Sequence, residues 1–284
     1  MSTLYVSDLD GTLLNAQGCL SDETAQGLNT LIEQGLAFTV ATARSPATVM
    51  PLLSRLHLRL PIICMTGTLI YDTAKGVYIH VETIPLAVVA QLCSILEQAN
   101  HSALCYAVED ERRLKVYYKC HASESERIFV QPRYGTPYKT FEQTDHLFNS
   151  VQDKQVAMLL VIDTEEIVRP IYETVIKIEG VHAYYYPDEY GSGGCYLEIY
   201  NTTSTKALAI KKVMQFYKKD KLVSFGDNIN DLPMFEMSDI SCAVQNALPQ
   251  LKQAATQVIG ANTQDGVYKW LKKEWKQKKQ RLED

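Results

Sequence analysis

No two of the seven cysteines (Cys19, Cys64, Cys93, Cys105, Cys120, Cys195, Cys242) stand in a CxxC spacing, and the odd, scattered set builds neither a disulfide framework nor a zinc knuckle. That usage predicts a reducing, cytoplasmic home. Long hydrophobic runs are lacking as well: stretches such as Val156–Ile162 and Leu58–Met65 fall far short of the ~18 residues that a membrane span needs. No transmembrane segment and no membrane partner are expected. The opening Met-Ser-Thr-Leu-Tyr-Val-Ser-Asp has no basic n-region, so no signal peptide is expected either. Positive charge is not in excess, since 28 Lys and Arg against 33 Asp and Glu leave a formal net charge of -5. Such a field repels phosphate backbones and argues against a nucleic-acid partner. The six histidines (His57, His80, His101, His121, His146, His182) show no HxxxH or comparable ligand spacing. Internal repeats and low-complexity tracts are also missing.

What remains is an ordinary globular composition, 46% hydrophobic and 21% charged over 284 residues, long enough for about two domains. Leu4–Ser7 is a short apolar run that stops at two aspartates and a glycine, which predicts a buried strand ending in a loop. A helical pattern follows from Ser21 to a stop at Gly35, then a strand over Leu36–Ala41, a helix over Pro46–Leu56, a strand over Pro61–Met65, and a hairpin-like pair Leu69–Tyr71 and Gly76–His80. Alternation of strand and helix predicts a parallel α/β sheet.

After Pro85 the texture changes to a helix (Leu86–Gln98) and Tyr-rich, β-branched strands around Leu104–Val108, Leu114–Tyr118, Val156–Ile162 and Val181–Tyr186, with a helix over Thr164–Ile176 weakened by Pro170. The α/β pattern is expected to resume with a strand at Tyr196–Ile199, a helix over Lys206–Tyr217 and a strand at Leu222–Phe225. Residues 85–187 are therefore expected to be an α+β domain inserted into a core formed by 1–84 and 188–284. The C-terminal stretch from Trp270 carries six Lys or Arg against three acids. Val267, Trp270 and Leu271 form an apolar stripe, so docking on the core is expected with the lysines as its solvated face.

Asp8-Leu9-Asp10-Gly11-Thr12 puts two carboxylates two residues apart where a buried strand runs out, and two negative charges so close call for a cation. Alone, the string also fits a polar Asx/Gly turn or the start of an EF-hand loop, although the loop's third Asp/Asn and closing Glu are missing. The second element sharpens the reading. Gly226-Asp227-Asn228-Ile229-Asn230-Asp231 follows a second apolar strand, and two parallel strands ending in acids can aim several carboxylate oxygens at one place, the way magnesium is held. Thr42 ends a third strand, and Lys206 opens a helix after Ser204-Thr205, adding a hydroxyl and a compact positive charge.

Four ordered motifs, Asp8-x-Asp10-Gly-Thr, Thr42 in Ala-Thr-Ala-Arg, Lys206, and Gly226-Asp227-x-x-Asn230-Asp231, make the chain resemble the haloacid dehalogenase-like hydrolases, specifically the Cof-type phosphatases, over essentially its whole length. The resemblance implies a Rossmann-like parallel-sheet core with an inserted α+β cap that closes over the site and carries substrate specificity. It implies that Asp8 is the nucleophile that becomes an aspartyl-phosphate and Asp10 the general acid and base. Mg2+ would be held by Asp8, the Asp10 carbonyl and Asp227, with Asp231 near the metal. Thr42, Lys206, Asn230 and backbone N–H groups around Leu9 and Ala43 would hold the phosphate of a small phosphate ester.

Three positions depart from the family pattern: Ala43 and Ala207 where glycine is common, and Thr66-Gly67-Thr68 where Asn-Gly-Ala is more usual. None removes a catalytic group, but Thr66 puts in doubt any substrate contact made there. Two other readings stay open, a phosphotransferase of the phosphomannomutase kind and a non-catalytic phosphate-binding regulator. The latter would be expected to have lost Asp8, Asp10, Lys206 or Asp227. Tyr184-Tyr185-Tyr186 and the loop Gly191–Gly194 are candidate substrate contacts, although tyrosines on a strand are commonly sheet face and core.

Overall fold

Leu4, Tyr5 and Val6 are buried, and the run Thr3–Ser7 forms β1 inside a parallel sheet, where a strand covered on both faces reads as continuously apolar. The computed structural model describes residues 2–119, 123–187 and 194–283, the side chains of 281–283 excepted. Residues 191–193 of the Gly191–Gly194 loop thus lie outside the described residues.

After β1 comes α1 (Asp22–Glu33), whose N-cap Ser21 accepts a hydrogen bond from the Thr24 amide. Then follow β2 (Phe38–Val40), α2 (Pro46–Leu53), β3 (Ile62–Cys64), β4 (Leu69–Asp72) and β5 (Val77–Val81). The third strand departs from expectation. It meets the parallel sheet only through a bridge between Ala41 and Ile63, and otherwise pairs antiparallel with β4 in a small sheet of order β3-β4-β5.

The next stretch holds α3 (Leu86–Gln98), β6 (Leu104–Asp110), β7 (Arg113–Tyr118), α4 (Glu124–Val130), β8 (Lys139–Gln143), α5 (Leu147–Val151), β9 (Gln155–Asp163), α6 (Glu165–Val175), β10 (Val181–Pro187) and β11 (Cys195–Asn201). Its strands form one six-stranded sheet in the order β10-β11-β9-β6-β7-β8. On one face Cys105, Leu159, Val161, Leu197 and Ile199 pack with Val89, Leu92 and Leu96 of α3 and Val168, Ile171 and Val175 of α6. That burial keeps α6 helical through Pro170 despite the missing N–H.

The chain finishes with α7 (Lys206–Phe216), β12 (Lys221–Gly226), α8 (Leu232–Glu236), β13 (Ile240–Val244), α9 (Pro249–Ala254), β14 (Gln257–Ile259) and α10 (Gly266–Glu283). These complete the five-stranded sheet β14-β13-β12-β1-β2, parallel throughout. The C-terminal stripe docks as its pattern predicts: Val267 and Leu271 are buried, and Trp270 meets Phe225 edge-on at 5.3 Å.

Two units result, one of residues 1–77 with 205–284 and one of residues 78–204. The expected resumption of the core at Tyr196–Ile199 is corrected here. That strand lies in β11, antiparallel to both β9 and β10, so it belongs to the second unit, and the first resumes at Thr205. The other end also falls earlier than residue 84, inside β5. No helix among the described residues is long and apolar enough to cross a membrane.

Candidate active site

Within the first unit the chain steps from β1 to β2 on one side and reaches β12, β13 and β14 on the other. The carboxyl ends of strands at such a switch point form a natural crevice. Asp8 leaves β1 there, its amide bonded to the Phe225 carbonyl at 2.9 Å. Leu9–Leu13 then makes a wide turn closed by the Leu14 amide on the Leu9 carbonyl at 2.9 Å. Gly11 sits at φ +76, and a Cβ on it would lie 2.4 Å from Asp227 Oδ2, so the motif's glycine answers both a conformational and a steric demand. Thr12 Oγ1 donates to Asp227 Oδ1 at 2.9 Å, and Asn246 Nδ2 donates to the Gly11 carbonyl at 2.7 Å. The first of these bonds fastens the first motif to the last, and the second ties it to the segment after β13.

Lys206 opens α7 with only 2% of its surface exposed. Its Nζ donates to Asp8 Oδ1 at 2.6 Å and to Asp231 Oδ1 at 2.7 Å. Asp231 is fully buried, and its other oxygen accepts from the Asp227 and Asn228 amides at 3.0 and 3.2 Å. Gly226 makes this possible, since a Cβ there would stand 2.6 Å from that same oxygen. Asp231, expected near the metal, lies in the same carboxylate group as Asp8 and Asp227, and its hydrogen bonds from Lys206 and two amides also anchor the lysine and the loop.

Among the described residues the charges gathered here do not balance. One carboxylate oxygen each from Asp8, Asp227 and Asp231 lie within 4.8 Å of one another, against the single ammonium of Lys206. Burial, opposed by Lys206 and reinforced by the Asp231 and Asp227 charges, pushes Asp8 up to about 7. Burial also raises Asp227 to about 6, opposed by the Thr12 hydrogen bond and reinforced by Asp231. A hard divalent cation with oxygen preference suits this donor set of Asp8, Asp227 and Asp231.

Asp10 takes a different position. Its half-exposed carboxylate is held by both arms of Arg44, Nε to Oδ2 at 2.7 Å and Nη2 to Oδ1 at 2.6 Å. Thr42 is buried at the end of β2, its amide on the Ile63 carbonyl and its hydroxyl accepting from the Arg44 amide at 3.1 Å. Ala43 and Asn230 are exposed and Leu9 is buried. Thr66 is buried at φ +55, a left-handed conformation that suits asparagine better than a β-branched residue. Next to it, a Cβ on Gly67 would fall 2.1 Å from the Thr205 carbonyl, so the turn after β3 lies directly against the start of α7.

The sequence motifs assign no role to Arg44, Thr12 or Asn246. The Arg in Ala-Thr-Ala-Arg and the Thr in the first motif were both visible, whereas nothing around Asn246 marked it.

The first unit is thus a parallel α/β sheet that gathers buried acids and a lysine at its carboxyl ends. The family model for haloacid dehalogenase-like hydrolases matches residues 5–271, and the chain belongs to that family. Its curated relatives include the 5-amino-6-(5-phospho-D-ribitylamino)uracil phosphatase YitU of Bacillus subtilis, 28% identical over 276 residues, covering 95% of this chain and 96% of that one. Another is the pyridoxal phosphate phosphatase YbhA of Escherichia coli, 24% identical over 277 residues, covering 95% and 98%. Among solved structures, a protein of Thermotoga maritima superposes with a TM-score of 0.78 at 24% identity, covering 96% of this chain and 97% of that one. A haloacid dehalogenase-like hydrolase of Bacteroides thetaiotaomicron gives 0.75 at 20%, covering 96% and 99%.

Proposed function

We propose that the protein is a magnesium-dependent phosphatase that hydrolyses small metabolite phosphate monoesters through an aspartyl-phosphate on Asp8. The observation that carries this reading is the buried Asp8–Lys206–Asp231 chain beside Asp227, at the carboxyl ends of β1 and β12. The phosphatase relatives support it.

In the first step an oxygen of the Asp8 carboxylate attacks phosphorus and the ester P–O bond breaks. The departing oxygen takes a proton from Asp10. In the second step Asp10 accepts a proton from water, the water oxygen attacks phosphorus, and the bond to Asp8 breaks, returning the carboxylate and releasing inorganic phosphate. Splitting one displacement into two is the benefit of a covalent nucleophile, and a positioned acid contributes about 10²–10⁴-fold. Asp8, the Asp10 carbonyl and Asp227 would hold magnesium, whose positive charge would offset the repulsion between carboxylate and phosphate. Lys206 fixes the Asp8 rotamer through its Oδ1 and carries a donor charge toward phosphate oxygens. The Arg44 clasp on Asp10 has to open before Asp10 can donate a proton. In this reading Thr42, Asn230 and the amides of Leu9 and Ala43 hold the phosphate, and the second unit is the specificity-bearing cap. The free cysteines, five of them buried among the described residues, agree with a cytoplasmic setting.

A panel of phosphate esters, including sugar phosphates, pyridoxal phosphate and flavin mononucleotide, assayed after EDTA treatment with and without added magnesium, tests this. Phosphate release should vanish in the chelator and return with magnesium. Full activity in EDTA, or no release from any ester, refutes it.

A further inference from the structure

The turn that carries Asp10 pivots on Gly11, and glycine leaves the peptides on either side of it freer to rotate than any other residue would. The bond that closes the turn, from the Leu14 amide to the Leu9 carbonyl, belongs to neither peptide. Their hold comes from far along the chain. Asn246, two residues past the end of β13, donates Nδ2 to the Gly11 carbonyl at 2.7 Å, and its Oδ1 accepts from the Asn262 amide at 3.0 Å. Asn262 in turn donates its own Nδ2 to the Leu14 carbonyl at 2.8 Å. One partner of the Asn246 side chain is a backbone carbonyl and the other a backbone N–H, so only one orientation of that amide satisfies both.

The same short segment reaches the second acid loop. Two residues beyond Asn246, the Leu248 amide donates to the Asp227 carbonyl at 2.9 Å. Thr12, whose amide belongs to the very peptide that Asn246 grips, donates Oγ1 to Asp227 Oδ1 at 2.9 Å. Residues 246–248 therefore bridge the loop after β1 and the loop after β12 without touching a carboxylate themselves. Asn246 is exposed, so losing its amide opens no cavity, and the half-buried Gly11 carbonyl can take water in exchange. Such an exchange makes the bond a minor contributor to folding. It matters far more for the placing of oxygens around a cation, because magnesium demands near-ideal octahedral geometry.

We propose that Asn246 is a positioning residue, which holds the Asp10–Thr12 stretch at the spacing from Asp227 that binding of a divalent cation requires. The inference rests on the metal role proposed for Asp8, the Asp10 carbonyl and Asp227.

Manganese is the probe. It is titrated into the full-length protein, stripped with EDTA and dialysed, and the free ion is counted by electron paramagnetic resonance with no substrate present. Asn246→Leu keeps the size of the side chain and removes both of its hydrogen bonds, and it should weaken manganese binding about tenfold. Half-maximal phosphate release should need more magnesium by the same factor, with the KM for the ester unchanged. Asn29→Leu is the control. Asn29 of α1 makes the same pair of bonds, Nδ2 to the Arg55 carbonyl and Oδ1 from the His57 amide, each at 2.8 Å, and neither partner belongs to an acid-bearing loop. Its manganese affinity should equal that of wild type whatever its urea midpoint. Unchanged affinity in Asn246→Leu, or an equal loss in Asn29→Leu, overturns the positioning role and leaves the metal reading standing. A wild-type protein that takes up no manganese overturns both.

Discussion

Replacing Lys206 with methionine keeps the length of the side chain and deletes the single positive charge between Asp8 and Asp231. At 2.6 and 2.7 Å, each pair is worth roughly 6 kcal/mol of Coulomb attraction at an effective dielectric of about 20, before desolvation is subtracted. Burying the ions takes back most of that, but the lysine's own desolvation disappears with it while the two carboxylates stay buried. The net loss for breaking such a pair is about 3–5 kcal/mol. Both tryptophans, Trp270 and Trp275, lie on α10 in the first unit, and Trp270 touches Phe225 of β12 beside the site. Urea unfolding followed by their fluorescence therefore reports the unit that contains the substitution. The titration is run in EDTA so that no metal supplies the missing charge. Asp231→Asn added to Lys206→Met should recover about 1–2 kcal/mol, because it removes one stranded charge and keeps an oxygen for the Asp227 and Asn228 amides. A Lys206→Met protein within 1 kcal/mol of wild type, or a double variant less stable than the single one, would refute the charge accounting.

Three further outcomes are expected. Asp8→Asn should abolish turnover and any covalent adduct, whereas Asp10→Asn should slow esters of poor leaving groups by about 10²–10⁴-fold and accumulate phosphate on Asp8, visible by rapid quenching and mass analysis; normal turnover by Asp8→Asn would reverse the roles. Gly67→Ala, at φ +101 with its new Cβ 2.1 Å from the Thr205 carbonyl, should cost about 2–4 kcal/mol in the same urea assay, and an unchanged midpoint would show that the turn and α7 are not in contact. For Lys139, the folded pKa of about 8 lies below the unfolded value of 10.5, so the unfolded chain binds the extra proton between them. Stability of wild type relative to Lys139→Met should accordingly rise with pH through that window, and a flat or falling difference would mean the ammonium is not desolvated.

Much of the first unit was legible because its inner strands are buried on both faces. Leu4–Val6 and Leu222–Phe225 stand out as apolar runs, and each ends in the acids that mark the site. What the pattern cannot give is the partner of a strand. Cys195–Asn201 alternates buried and half-buried residues as a strand would in either unit, and only its antiparallel register with β9 and β10 assigns it to the second. β8 escaped notice altogether, since Lys139–Gln143 has a single buried residue and that residue is a lysine. At the site, residue types and spacing reveal which groups gather but not how they pair. The Arg44 clasp on Asp10 spans 34 positions, and the burial of Asp231 against two amides depends on a capping turn closed by its own side chain.

The lysine that neutralises Asp8 lies 198 residues further along the chain. A ribosome delivers Asp8 first and must then synthesise the whole of the second unit before its counter-ion and the neighbouring strand β12 exist. Until that moment β1 has an open edge on the side that β12 will occupy, and Asp8 has no partner to justify its burial. The second unit draws all six strands of its sheet from within 78–204. It can therefore fold first during synthesis while the first unit waits. A chain interrupted anywhere before Lys206 therefore carries Asp8 without its counter-ion, whatever the state of the second unit.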